Sequence, residues 1–585
     1  MINSFYGLRF DTFSIFATNA LFILLSIIPV SQFYENWYQQ ILKWLFIPVN
    51  TIALLTNSVD FAYFPFIKKR SGADLFNQVG GQTDMGKLLP QYIKDFWWVL
   101  VLVIVMTILM SVLYKKIKIQ PKVSEQNSLR KIIITVLVFI FCTGIAILGL
   151  RGGTQRYPID IINAGEYVSA EEVPIILNTP FTLIKSAGQE DLKEFDFFKE
   201  KELKTIFNTT HHFDTLQFKK KNVVIIILES FAKEYTKLGK TGISYTPFLD
   251  SLSEHCMVFS NGIANGSKSI EGIPAILSGL PHLMENPFIN SSYSNNYQTS
   301  FAFLLGKEGY TTAFFHGGIN GTMNFDTYSK LAGYQKYFGK NEYNNDEDFD
   351  GFWGIWDEPF FQYTIQKMNE FTEPFHSSVF TLSSHHPYNV PKKYEGKFPK
   401  GRLENTASVG YSDFALRQFF NTAKKTKWYH NTLFILCADH TSLSDHPFYK
   451  NIVGQQCIPI LFYSPSDSLK GEDNRSFSQI DILPSVMNYL GYNKPFFTFG
   501  QSYLQKKNNN CYYYVNGNHL MIADSLMLSF NNSSLQTIFN FKRDSSLHKN
   551  ILGKHPELEK KLTKDFHAFL QTHNYSVRNN TMRLK

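Results

Sequence analysis

Cysteine is scarce in this chain of 585 residues: five, at positions 142, 256, 437, 457 and 511, with no CxxC pair. An odd number at such spacings excludes a disulfide framework, and the missing CxxC removes the usual thiolate signature of a zinc site. A dominant charge is lacking too. Lys+Arg number 57 against 49 Asp+Glu, a formal excess of 8. So small a surplus gives nucleic-acid binding no support once the basic residues are placed, because many sit in one loop between apolar segments. There are no internal repeats and no long low-complexity tract, which excludes solenoid and fibrous classes. Long apolar runs are missing after residue 150. Hydrophobic residues make up an ordinary 44%, so it is their uneven distribution that carries information. The length implies two to four structural units.

The first 150 residues hold the apolar runs. Phe96–Tyr114 and Ile132–Leu150 are each uncharged over 19 residues, close to the ~20 needed to cross a bilayer as a helix. Thr12–Phe33 is expected as a third span, and Trp44–Val59, interrupted by Pro48, Asn50 and Asn57, as a weaker fourth. The first run is too long for a cleavable signal and lacks a small-residue cleavage site. The 115–131 loop carries six basic residues and one acid, so the positive-inside bias places it in the cytoplasm and everything after Arg151 outside. Counting back through four spans puts Met1 outside as well, from which an upstream span missing from this chain is expected.

Residues 151–220 read as a juxtamembrane linker with short helices. From Lys221 short β-rich runs alternate with amphipathic stretches, the pattern of a mostly parallel sheet flanked by helices. Val223–Leu228, Thr311–Phe315, Val379–Leu382, Leu433–Cys437 and Ile458–Phe462 are the clearest strands. Near-continuous apolar runs suit strands buried on both faces. Polar residues follow directly: Glu229, His316, His385 and Asp439-His440. Ligands of open α/β sheets bind beyond the carboxyl ends of the strands, so these groups point to one shared site. After about residue 505, turn signals such as Asn516-Gly517 and alternating runs predict a small antiparallel addition, followed by a charged amphipathic helix from Pro556 to Gln571. The chain thus divides into a transmembrane helix bundle (1–150), a linker (151–220), an α/β catalytic domain (221–505) and a C-terminal α+β addition (506–585).

Carboxylates and imidazoles are the ligands of hard and borderline dications. Glu229 alone would be read as a cap or an ion-pair partner, and an Asp-His dipeptide is common; adjacent Asp439 and His440 after a buried strand are costly without a partner. A candidate nucleophile lies in NGSKSIEGIPAILSGLP (265–281), where Ser269 stands ten residues before Gly279. A serine at a helix start benefits from the helix dipole and, where a cation binds it, from a lowered hydroxyl pKa. The plainer reading of Ser269 is an N-cap, and Ser267 is the rival nucleophile. Lys268 is placed to meet an anionic substrate. Asp445 and His446 leave room for a second ion.

IILESF (226–231), NGSKSIEGIPAILSGLP, FFHGG (314–318), TLSSHHPYNVP (381–391), CADHT (437–441) and SQIDILPSVMNYLG (478–491) together resemble, in order, the motifs of the lipoteichoic acid synthase family, within the alkaline phosphatase/sulfatase superfamily. The resemblance covers about residues 221–500, and the apolar first half looks similar as well. It implies a sulfatase-like α/β fold behind a membrane anchor. It also implies one divalent cation, Mn2+ with Mg2+ or Zn2+ as alternatives, held by Glu229, Ser269, Asp439 and His440. His385 and His316 would contact the phosphate or stabilise the leaving group. The activity implied is transfer of a phosphoglycerol- or phosphoethanolamine-type headgroup from a membrane phospholipid to an envelope glycan or lipid, through a phospho-Ser intermediate, outside the cytoplasm. Members that take glycerol phosphate from phosphatidylglycerol tend to carry Trp and Arg shortly after the FHG motif; those places here hold Met323 and Phe325. Losing a guanidinium that can grip a phosphodiester with two hydrogen bonds is not a neutral change. The alternatives are a sulfatase or phosphodiesterase on the same scaffold, and a non-catalytic membrane scaffold or sensor. A formylglycine sulfatase would need Pro and Arg two and four residues after the nucleophile, where Glu271 and Ile273 stand.

Overall fold

The computed structural model of the protein describes residues 2–67, 70–73, 94, 96–117, 119, 129–155, 157–189, 191–214, 217–505 and 510–584. The chain clusters into two compact units, one of Met1–Asp191 with Asn290–Asn296, the other of Leu192–Ile289 with Tyr297–Lys585.

The first unit is helical. Its main helices are α1 (Ile2–Thr18), α2 (Ala20–Ile27), α3 (Asn36–Ile67), α4 (Trp97–Lys116), α5 (Leu129–Arg151) and α6 (Thr179–Ser186). Among the described residues, Asn36–Ser58, Trp97–Lys116 and Ile132–Arg151 are long and apolar enough to cross a membrane, or up to four spans if α1 and α2 count as one. Of the side chains on α4 only Val99 and Val103 are buried, while Ile104, Val105 and Ile108 are exposed, the distribution expected of a helix solvated by lipid. The span expected over Thr12–Phe33 falls on α1 and α2, which meet at a 70° bend. The bend sits at Asn19, whose amide donates to the Ile15 carbonyl and pairs with Asn50 of α3. The weaker expected span, Trp44–Val59, lies inside the 32-residue helix α3. Most of the basic 115–131 loop lies outside the described residues.

The second unit is built on an eight-stranded sheet of β1 (Asn222–Leu228), β2 (Met257–Ile263), β3 (Thr311–His316), β4 (Lys336–Phe338), β5 (Phe375–Phe380), β6 (Thr432–Ala438), β7 (Ile460–Tyr463) and β8 (Gly471–Ser478). Their spatial order is β4-β3-β5-β1-β6-β7-β2-β8. Every neighbouring pair is parallel except the two made by β7. Central β1 and β6 are buried along their whole length, as strands covered by helices on both faces must be. Among those helices are α7 (Ser269–Ser278), α8 (Asp357–Asn369), α9 (Thr406–Ala423) and α10 (Ile482–Leu490).

The strand expected at Val379–Leu382 instead runs over Phe375–Phe380. Its first half carries His376, Ser377 and Ser378, which hide it from an apolar pattern; all three are nonetheless buried. His376 is accommodated by contacts from Nδ1 to the Val223 carbonyl at 3.1 Å and from Nε2 to the Tyr334 hydroxyl at 3.0 Å. Beyond the large sheet, β9 (Asn510–Val515), β10 (Asn518–Ala523), β11 (Leu526–Asn531) and β12 (Ser534–Asn540) form an antiparallel meander, followed by helix α11 (Pro556–Arg578). Gly517, at φ 81, makes the first turn of that meander.

Candidate active site

The C-terminal ends of adjacent β1 and β6 place Glu229 and Asp439-His440 side by side. The register pairs Leu228 with Ala438, so the residue after each strand emerges at the same edge. The chain turns at Ser230 in the left-handed region, φ 57, an uncommon conformation for a non-glycine residue and one concentrated at functional sites. That turn aims the Ser230 amide at Asp439 Oδ1 (2.8 Å) and its hydroxyl at Glu229 Oε1 (2.7 Å). Thr381 Oγ1 accepts the Glu229 amide at 2.9 Å and Ser384 Oγ donates to the Glu229 carbonyl at 2.5 Å, tying the same turn to the loop after β5.

Ser269 arrives from the third side. It is the first residue of α7, with Lys268 at the cap position making no side-chain cap bond; the hydroxyl of Ser269 is thus committed elsewhere than to capping. Its Oγ lies 3.1 Å from Glu229 Oε2 and 3.3 Å from His440 Nε2. Gly272 makes this approach feasible: a Cβ there would sit 2.4 Å from the Asp439 carbonyl oxygen, so any side chain would push the first turn of α7 off the metal-competent loop. Gly279 closes the helix ten residues on from Ser269, at φ 61.

Glu229, Asp439 and His440 offer ligand atoms all within 4.8 Å of one another, the one such cluster of three among the described residues. Oxygen and nitrogen ligands ~2.1 Å from a tetrahedral ion are ~3.4 Å apart. Here His440 Nε2 stands 3.3 Å from Asp439 Oδ2 and 3.7 Å from Glu229 Oε1. Asp439 Oδ2 is fully buried and has no hydrogen-bond partner among the described residues, whereas Oδ1 accepts from the amides of Ser230 and His440. His440 Nδ1 is 2.5 Å from the Thr441 carbonyl. With the proton held there, Nε2 presents its lone pair to the cluster, the usual orientation of a metal-binding histidine. Burial, and after it the charge of Glu229, raises the pKa of Asp439 against the pull of His440. For His440 burial works the other way, but the carboxylates of Asp439 and Glu229 outweigh it and raise its pKa. Two buried carboxylates, a tautomer-fixed imidazole and an orphaned oxygen fit a divalent cation.

A buried amide clamps this edge from behind. Gln479 Nε2 donates to the carbonyls of Ala438 and Asp439 (2.9 and 2.6 Å), and its Oε1 accepts the Asn265 amide at 2.8 Å. Asn265 in turn donates to the Tyr512 carbonyl and accepts the Ile480 amide. One fully buried glutamine thereby locks the loop carrying Asp439-His440 to the loop leading into Ser269. Gln479 was legible only as part of the SQIDILP motif; Ser230, Thr381, Ser384 and Gly272 carried no separate signal.

The remaining candidates lie outside the cluster. Lys268 is exposed at the start of α7, and the rival Ser267 is exposed too, its amide bonded to Glu271 and its Oγ contacted by Gln456. His385 is half-buried; its ring packs on Trp353 at 4.0 Å and its Nδ1 lies 2.8 Å from the His386 carbonyl. His316 is 1% exposed, stacked on Phe380 and met edge-on by Phe325 at 5.3 Å. Burial lowers its pKa to about 3, so the ring is held neutral, with Nδ1 3.2 Å from the Tyr337 hydroxyl. Met323 and Asn324 adopt left-handed conformations, φ 50 and 57, and Phe325 is buried against that histidine. Asp445 and His446 direct their amides to Glu234.

Residues 221–492 match the Sulfatase family model. The chain is 28% identical over 326 residues to lipoteichoic acid synthase 1 of Bacillus subtilis (strain 168), spanning 51% of this chain and half of that protein. It is 24% identical over 505 residues to lipoteichoic acid synthase of Staphylococcus aureus (strain USA300), spanning 80% and 76%. Among solved structures, a Vibrio parahaemolyticus protein in the alkaline phosphatase superfamily superposes with a TM-score of 0.58 at 24% identity, covering 69% of this chain and 95% of that one. The lipoteichoic acid synthase LtaP from Listeria monocytogenes gives 0.55 at 22%, covering 65% and 98%. These two likenesses establish the α/β fold.

Proposed function

Given a sulfatase-family domain over residues 221–492, in an enzyme of the sulfatase/phosphotransferase type, we propose that this chain is a membrane-anchored transferase. It moves a phosphoglycerol-type headgroup from a membrane phospholipid to a hydroxyl of an envelope glycan or lipid, with Ser269 as nucleophile. The observation that carries the proposal is the position of Ser269 Oγ, at the start of a helix and 3.1 Å and 3.3 Å from Glu229 and His440. Glu229, Ser269, Asp439 and His440 would hold the cation, for which Mn2+ is proposed. When bound, it would supply positive charge to the phosphoryl oxygens and lower the pKa of the serine hydroxyl.

The chain's own residues do the rest. The N-terminus of α7 favours negative charge at the attacking oxygen and the phosphate. In the first half-reaction the Ser269 oxygen bonds to phosphorus, the bond from phosphorus to the diacylglycerol oxygen breaks, and the serine proton passes to solvent. His385, half-buried near the turn of Glu229, is proposed to protonate the departing alkoxide. An acceptor hydroxyl then bonds to phosphorus and gives up its proton, while the bond from phosphorus to the Ser269 oxygen breaks and the serine regains a proton. Lys268 is proposed to pair with the headgroup phosphate. The spans of the first unit keep the enzyme beside a donor that lies in the bilayer, and the catalytic unit is proposed to stand outside the cytoplasm, opposite the basic 115–131 loop.

The test is incubation of the purified full chain and Mn2+ with labelled phospholipids of different headgroup, scoring diacylglycerol release and a phosphoryl-headgroup adduct on the peptide containing Ser269. Release and adduct with phosphatidylglycerol are expected. Release of free headgroup phosphate with no transfer to added acceptors would move the assignment to a hydrolase on the same scaffold. Turnover undiminished in Ser269→Ala would overturn the nucleophile.

A further inference from the structure

Alongside β2, the second unit has a cavity of about 850 Å³. Five lysines line it: Lys233, Lys237, Lys240, Lys470 and Lys542. Two carboxylates share the lining, and both are engaged. Glu254 pairs with Lys237 at 3.5 Å, and Glu472 accepts the Ser260 hydroxyl. Lys240, Lys470 and Lys542 are exposed and have no ion-pair partner among the described residues.

Two further observations set this cavity apart from a scatter of surface lysines. The first is Lys233, whose ammonium donates to the Ser260 carbonyl beneath the cavity floor. Burial holds its pKa below the ordinary lysine value, with Cys457 and Glu472 raising it and the charges of Lys240 and Lys542 lowering it. Like charges this close raise the energy of the ligand-free protein, and a bound anion would relieve it. The second is Lys240, held in the left-handed region at φ 56 in the turn that forms the rim. A β-carbon there costs ~1 kcal/mol or more, which glycine would avoid.

We propose that this cavity binds a chain bearing several phosphodiester groups, namely the acceptor once it has received successive headgroups. The inference rests on the transfer reading above. A concave site fits a flexible polyanion better than a planar membrane, because neighbouring phosphates can be neutralised from several sides at once. The cavity lining reaches Asn261, two residues before the end of β2, and Lys233, four residues after Glu229. A growing product could therefore be retained by its older phosphates while its end is extended, whereas a single phosphate could occupy only one place.

The experiment uses the full-length chain in detergent carrying Ser269→Ala, so that binding is read without turnover. The probes are a synthetic glycerol-phosphate octamer, monomeric glycerol phosphate, and vesicles containing an anionic phospholipid. Octamer binding is expected to be at least tenfold tighter than monomer binding and to weaken with salt. The triple variant Lys240→Gln/Lys470→Gln/Lys542→Gln should lose at least tenfold in octamer affinity at unchanged melting temperature. Its slope of log affinity against log salt should be shallower by about 2, at ~0.7 per phosphate neutralised. The matching triple Arg variant should restore binding. Equal octamer affinity in the wild-type and Gln cavities overturns the proposal. Loss confined to vesicle binding overturns it in favour of a membrane-surface contact. Lysine-dependent octamer binding in a protein whose native Ser269 form never releases diacylglycerol would sink the transfer reading and leave the cavity assignment standing.

Discussion

Adding a divalent cation should stabilise the second unit, and Asp439→Asn should erase that response. Glu229 and Asp439 place carboxylate oxygens within 4.8 Å of each other. At an effective dielectric of about 20 that is a repulsion of roughly 3 kcal/mol, countered by His440 at 3.3 and 3.7 Å. Removing the Asp439 charge should therefore change the stability of the cation-free protein by no more than ~1–2 kcal/mol. The cation response is a separate quantity. At one hundred times its dissociation constant a ligand of the native state contributes ~2.7 kcal/mol. A unit of about 390 residues unfolds with an entropy near 0.8 kcal/mol per kelvin, so the expected rise in melting temperature is about 3 °C, and about 5 °C at a thousandfold excess.

The assay is thermal unfolding of the purified chain after EDTA treatment and dialysis, with Mn2+, Mg2+ and Zn2+ titrated back in turn. Asp439→Asn loses one charge and replaces the orphaned Oδ2 acceptor by an amide. It should remain folded and show a shift of less than 1 °C at cation concentrations that saturate the native protein. An equal shift in both proteins would mean that the stabilising ion binds elsewhere, and the reading of Glu229, Asp439 and His440 as one ligand set would fail.

Four further outcomes follow from the same geometry. Ser269→Ala should abolish headgroup release while lowering stability by only ~1–2 kcal/mol for the lost hydrogen bonds; Ser269→Thr should keep measurable turnover and Ser267→Ala most of it, and a dead Ser267→Ala beside an active Ser269→Ala would reverse the assignment. Gln479→Ala strands the Asn265 amide and two carbonyls in a dry interior, so chemical denaturation should register a loss of ~3–5 kcal/mol, with turnover down at least tenfold at temperatures where the variant stays folded. Burial lowers the pKa of His376 to about 3 against ~6.5 in the unfolded chain. The folded state thus prefers the neutral ring, and its stabilising effect is complete above pH 6.5 and lost as pH falls toward 3, by ~1.4 kcal/mol per pH unit; urea midpoints of His376→Gln should flatten against pH between 6.5 and 5, and an unchanged slope would refute the burial argument. Gly272→Ala should cost both stability and turnover, because its methyl would meet the Asp439 carbonyl; a crystal structure of an active variant with Ser269 undisplaced would show that the helix has room to give.

How far these features can be read from sequence depends on whether each is encoded locally. Strands β1 and β6 are uninterrupted apolar runs, so their boundaries and the polar residues that end them are visible one strand at a time. Parallel pairing then makes a further demand that sequence also meets, since residues ending adjacent strands must emerge at one edge; this is why Glu229 and Asp439-His440 can be placed together before any coordinates exist. Strand β5 defeats the same reasoning because His376 and Ser378 are satisfied by Tyr334, a partner 42 residues from His376, and an alternation rule has no access to such compensation. The bend at Asn19 is hidden in the same way, since its side chain pairs with Asn50 on another helix. His316 shows what the same rule leaves open. It follows a strand just as Glu229 does, but Phe325 and Phe380 enclose it, and a strand-end rule cannot distinguish a side chain entering the site from one folded into aromatic packing. What finally turns a set of strand-end residues into a candidate centre is Gly272, which a sequence presents only as a glycine in a helix. Its meaning, a helix brought within contact distance of the Asp439 carbonyl, exists only once α7 and the loop after β6 are seen together.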